Sequence, residues 1–247
     1  MAQAQEHAFP YDPALLRAVQ TAPGSIADVL QALQTIDATC VDGDGLKWFN
    51  WLYTQVTQAI ESQIAAGGLN NPAWVTALDI QFAARYFSAL EARLQERSAA
   101  GCWTALLSQR ANTRVARIQF ALAGTNSHIN HDLPEAIVTN CRATGAVPQH
   151  GSPQYNDYTA LNATLNTLIG NSMEVLHVRL LGDPLPPVSH LEDTMAAWSL
   201  SAARETAWNN AEILWHLQDA PVLASAFTDS LDALTTVASE ALLVAAP

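Results

Sequence analysis

The chain has 247 residues, 49% of them hydrophobic and only 14% charged, and it carries seven tryptophans. So little charge with so much aromatic bulk excludes a disordered chain and calls for a large buried core. Acidic residues outnumber basic ones 23 to 11, a formal charge of −12; that balance disfavours nucleic acid and anionic membrane as partners, since both attract positive surfaces.

Residues 1–20 carry no strong period and are expected to be a loosely ordered N-terminal arm. They hold neither a basic n-region nor an apolar h-region, and nowhere do apolar residues run to twenty, so neither a signal peptide nor a membrane span is expected. From Ser25 to Ile36 the residues Ile26, Val29, Leu30, Leu33 and Ile36 fall on one helical stripe behind a serine cap. A longer helix is predicted from Gly45 to Ala65, with Leu46, Phe49, Tyr53, Val56 and Ile60 facing inward. Gly67-Gly68 stops it and Asn71-Pro72 starts a third, Pro72 to Arg97, on which Val75, Leu78, Phe82, Tyr86 and Leu90 share a face.

A short helix follows at Trp103 to Gln109, then one from about Thr113 to His131, then a continuation over Pro134 to Arg142. Ala143 to Asn156 reads as a long loop. Helix resumes over Asp157 to Leu181, breaks at the prolines of Gly182 to Ser189, and returns as Thr194 to Gln218 and Phe227 to Val244. No strand alternation and no internal repeat is visible. The expected fold is all-α, a single domain over 1–247 built as an array or bundle of about eight helices.

Cys40, Cys102 and Cys141 stand at no metal-like spacing and are expected to be buried and reduced, which suits a cytoplasmic protein. Motifs for acyl-enzyme chemistry, nucleotide hydrolysis and Rossmann-type redox chemistry are absent. Asp42-Gly-Asp44-Gly45 begins like a calcium loop but lacks the closing glutamate, so Asp44 is expected to cap the following helix.

The stretch Gly124-Thr-Asn-Ser-His-Ile-Asn-His-Asp-Leu-Pro134 concentrates the chemistry. His128, His131 and Asp132 stand at i, i+3 and i+4, so on a helix they share one face. Two imidazoles and a carboxylate so placed can hold one divalent metal, zinc or iron, with a position open for water or substrate. Asn126 and Asn130 lie on other faces, where they can bind substrate, orient the ligands or hold a neighbouring helix. The plainer alternative is that Asp132 caps a fresh helix through Asp132-Leu-Pro-Glu135 and both histidines are hydrogen-bonded core residues. Pro134 makes the backbone irregular either way.

Other candidates come from distant helices. Asp79 stands alone in an apolar stretch, so it must pair with an arginine or join a site; Arg85 and Tyr86 approach its side. Arg204, between Trp198 and Trp208, is a natural partner for a carboxylate or a substrate, or a surface cation stacked on tryptophan. Glu174 and His177 have the spacing of a di-iron helix but lack the second such pair.

Several pieces together resemble one bacterial family of helical proteins catalogued as a domain of unknown function and common in actinomycetes. They are Asp44-Gly-Leu46 with Phe49-Asn50, Tyr53 and Thr57; Leu78-Asp79 with Phe82, Arg85 and Tyr86; Gly124-x-Asn126-x-His-Ile-Asn-His-Asp-Leu133; and Ala203-Arg204-x-x-Ala207-Trp208. Ser127 departs from the alanine common at that place. The resemblance implies one domain over most of the chain and brings no settled activity.

Three functions fit these residues. One is an enzyme acting on a small, largely apolar molecule, with His128, His131 and Asp132 holding a metal while Asp79 or Tyr86 supplies acid/base help. A second drops the metal and uses one histidine, its tautomer fixed by Asp132, as the proton carrier of an isomerase, cyclase or lyase. The third is a ligand-binding or scaffold protein in which the polar string is a buried network.

Overall fold

The computed structural model describes residues 8–180 and 199–245, and among them there is helix, turn and loop but no strand. In chain order the helices are α1 (Asp12–Val19), α2 (Ile26–Thr39), α3 (Leu46–Ala66), α4 (Pro72–Leu94), α5 (Gly101–Gln109) and α6 (Arg117–Ser127). After a π-helical turn (His128–Asp132) come α7 (Leu133–Thr144), α8 (Pro153–Ala160), α9 (Asn162–Leu180), α10 (Leu200–His216) and α11 (Pro221–Leu242). The side chains of Glu174 and His177, the proline-rich break and Trp198 lie outside the described residues.

The caps follow the sequence signals. Ser25 accepts the Asp28 N–H at the start of α2, and Asn71 accepts that of Trp74 ahead of Pro72 in α4. Both satisfy amide donors that have no partner inside the helix. Gly67, at φ 79°, ends α3 in a conformation that favours glycine.

The N-terminal region departs from expectation: residues 12–19 are not a loose arm but a helix whose Leu15 and Val19 are buried. The reason is electrostatic as well as apolar. Arg110, buried between α5 and α6, pairs with both Asp12 of α1 and Asp44, and Tyr11 donates to Asp44. Asp44 also accepts the Leu46 N–H, so it does hold the start of α3, while the arginine is its main partner. A second short helix, α8, begins at Pro153 inside the stretch expected to be loop; Ser152 caps it through the Tyr155 N–H.

The polar string sits at the centre of the array. Every residue from Ile118 to Ile129 is buried. α6 packs on α3 and α11, and the π-turn touches α4, α10 and α11. Gly124 permits the close approach of α6 to α3, because a Cβ there would overlap the ring of Phe49.

Candidate active site

Between α6 and α7 the helix widens by one residue. The Leu133 N–H donates to the carbonyl of His128, an i+5 bond, and Pro134 has no N–H with which to continue the ordinary pattern. Asp132 is in the right-handed helical region and its side chain caps nothing. The capping alternative is therefore replaced by another role.

That role is to gather three donors. One Asp132 oxygen, Oδ2, accepts from His128 Nδ1 at 2.9 Å and from Trp103 Nε1 at 3.0 Å, and Oδ1 accepts from His131 Nδ1 at 2.8 Å. Burial would push the Asp132 carboxyl up, but the hydrogen bonds from His128 and His131 outweigh it and hold its pKa below the ordinary value. An ionised carboxylate has no proton to give, so each histidine carries its proton on Nδ1. Burial pulls His128 below its ordinary pKa, against the attraction of Asp132. For His131, burial acts the same way, yet Asp132 prevails and the pKa is raised. His128 is thus the neutral imidazole of the group and His131 the one that charges first.

Packing fixes the His128 ring. Phe82 stacks on it at 3.4 Å between centroids, Tyr53 meets it edge-on at 4.6 Å, and Phe49 does so at 5.8 Å. With Nδ1 bound to Asp132, its other nitrogen, Nε2, is buried and has no hydrogen-bond partner.

His128 lines a cavity of about 60 Å³, room for a few waters or a slender alkyl group. Its walls are overwhelmingly apolar: Leu52 and Val56 of α3, Leu78 and Phe82 of α4, Leu165 and Ile169 of α9, and Leu200 of α10 are among them. Few polar side chains interrupt them. Both oxygens of Asp79 are buried without a hydrogen-bond partner, and the buried hydroxyl of Tyr53 has Thr57 beside it. Burial, with Glu61 adding to it, pushes the Asp79 carboxyl up to about 7, and burial, then Asp79, hold the Tyr53 phenol protonated. His128, with its unpartnered Nε2, and Asp79, whose carboxyl burial pushes up to about 7, therefore line one apolar space.

The sequence candidates divide accordingly. The structure brings His128, Asp79 and Arg204 to the cavity. His131 stands on the far oxygen of Asp132 and acts through it. Tyr86 lines no part of the cavity; it donates to Asn50, whose amide in turn donates to the Leu33 carbonyl. Asn126 holds α11, donating to Thr235 O and Ser239 Oγ, and accepts from Asn130; of the roles open to that pair, the one seen is holding a neighbouring helix. Arg85, a prospective partner for Asp79, pairs instead with Glu135.

The residues fit a shared metal poorly. Both Nδ1 atoms and both carboxylate oxygens are committed to one another, and among the described residues no group of three His, Cys, Asp or Glu is arranged to hold an ion. Tyr53 and Trp103 were not singled out for the site, and nothing in their spacing separates them from ordinary core aromatics.

The family of unknown function DUF5995 matches residues 26–245. The chain belongs to that family. The DUF5995 span takes in every residue of the cavity and of the Asp132 cluster and starts after α1. Comparisons with curated proteins and with solved structures return no match.

Proposed function

We propose that the cavity is the active site of a cytoplasmic enzyme that moves a proton on a small, largely apolar molecule, as an isomerase, cyclase or lyase does. The observation that carries this is a pair of buried, unpartnered groups, His128 Nε2 and the Asp79 carboxyl, on two residues that line the same apolar space. His128 Nε2 takes a proton from the ligand, and Asp132 stabilises the imidazolium that forms while holding its tautomer. Asp79, protonated, returns a proton at another atom of the ligand. The Tyr53 hydroxyl donates to oxygen that gains charge. A dry cavity strengthens each of these interactions.

One feature weighs against a purely structural network, and another bears on the compartment. Such a network specifies a fold when its members are satisfied, whereas here His128 Nε2 and both Asp79 oxygens, on residues that line the cavity, have no partner. The free cysteines Cys40, Cys102 and Cys141, all buried, suit a reducing compartment.

The test is solvent exchange. An extract of small apolar metabolites is incubated in deuterium oxide with the protein or with its His128→Gln variant, and mass spectrometry looks for compounds that gain deuterium. Enzyme-dependent labelling lost in the variant is expected. Labelling equal in the two samples, or none, would overturn the proposal.

A further inference from the structure

Among the described residues two arginines are buried, and they are treated differently. Arg110 is satisfied by two carboxylates, Asp12 and Asp44. Arg204 is 6% exposed and has only neutral partners. Its Nε donates to Asn162 Oδ1 at 2.6 Å, its Nη2 donates to the Tyr158 carbonyl at 2.7 Å, and its guanidinium lies over the Tyr158 ring at 4.0 Å. No carboxylate among the described residues reaches ion-pair distance of it, Asp79 included.

A buried guanidinium is costly without a counter-ion, and among the described residues Arg204 has none, which makes it a candidate to receive an anion from a ligand. Among the described residues lining the cavity, Arg204 is the only lysine or arginine. Its Nε and Nη2 bonds to neutral acceptors and the stacked ring hold it in one orientation, and Nη1 is left as a donor with no acceptor among the described residues. One cation suits a head group of one negative charge. The remaining walls, Val56, Leu78, Leu161, Leu165, Ile169 and Leu200, offer a body only apolar contact.

We infer that the cavity takes a monoanionic carboxylate with a slender apolar body, its head paired with Arg204 and its body lying along the apolar walls toward His128 and Asp79. The inference rests on the reading of this cavity as the ligand site, and it names the substrate class. Asp79 suits it as well, because a protonated acid does not repel the incoming carboxylate.

Calorimetric titration of the full chain with octanoate, octan-1-ol and octylamine at about pH 6, where Asp79 holds its proton, separates head from body. Octanoate is expected to bind at least about tenfold tighter than octanol, with octylamine weakest. Arg204→Gln should bring octanoate down to the octanol level and leave octanol unchanged, and Arg204→Lys should keep part of the preference. His128→Gln, which is expected to abolish deuterium exchange, should leave that preference intact. Equal binding of octanoate and octanol by the unaltered protein would overturn the carboxylate assignment while leaving the apolar cavity standing. Failure of all three probes to bind would overturn both. The unaltered protein and Arg204→Lys decide the matter even if Arg204→Gln does not fold.

Discussion

His128, which lines the cavity, donates its Nδ1–H to Asp132 at 2.9 Å and leaves Nε2 without a partner. One hydrogen bond thereby sets the tautomer, the ring orientation and the direction in which the imidazole can take a proton. Trp103 and His131 complete the set around the carboxylate, so Asp132 stays ionised although it is buried.

Asp132→Asn tests that arrangement. An amide has one acceptor oxygen for three donors, so at least one buried donor loses its partner. The expected cost is about 2–4 kcal/mol, a fall in Tm of roughly 5–15 °C. Deuterium exchange should be lost even where the variant remains folded. A variant as stable and as active as the parent would remove Asp132 from the account.

Asp79 makes the stability depend on pH. Its carboxyl is raised from 3.8 to about 7 by burial, so the folded protein holds the proton more tightly than the unfolded chain. Its contribution is fully present below about pH 4, is lost as pH rises to about 7, and is constant above that. The loss is on the order of 4 kcal/mol. Asp79→Asn does not titrate, so in denaturant melts it should gain on the parent between pH 4 and 7 and keep that gain at pH 8. A difference between the two proteins that is the same at both ends of that range would contradict the raised pKa.

Exchange activity follows from the same groups. His128 must be neutral and Asp79 protonated, so activity should fall as pH rises through about 7 and should fall again below the ordinary histidine range, where His128 finally charges. Rate measurements across pH on any labelled compound check this. A rate that climbs steadily above pH 7 would show that protonated Asp79 is not required.

Much of this site was legible in the residues. His128 and Asp132 were readable as one face because i and i+4 remain close even through the widened turn. Asp79 stood out because a lone carboxylate in an apolar stretch must be explained. Pro134 announced the irregular backbone, though not that it would take π form. What failed to show was which partner each group takes. Tyr53 and Tyr86 both lie on inward faces, and only the packing of α3 against α4 sends Tyr53 to the cavity and Tyr86 to Asn50. Nothing in the sequence around Arg204 tells that its partners among the described residues are all neutral. Helix α1 escaped notice because its eight residues have little intrinsic stability and depend on Arg110, almost a hundred residues away along the chain.

Arg110→Met probes that dependence. It leaves Asp12 and Asp44 buried without their cation and should cost about 3–5 kcal/mol. Limited proteolysis should then cut near α1 first. Equal resistance of α1 in variant and parent would mean that apolar packing alone holds it.

Gly124→Ala probes the approach of α6 to α3. The new methyl overlaps the Phe49 ring, which also touches His128. The expected cost is about 1–3 kcal/mol. Gly43→Ala, where a Cβ meets nothing within 4 Å, serves as the control. If the two variants melt together, the contact at Gly124 is not limiting.

The most direct test is the protonation of His128 itself, read from long-range proton–nitrogen spectra of histidine-labelled protein, assigned with His128→Gln. Neutral His128 protonated on Nδ1, with Nε2 bare at pH 7 and still bare after His131 has charged, is the predicted result. A proton on Nε2, or a doubly protonated ring at pH 7, would contradict the account.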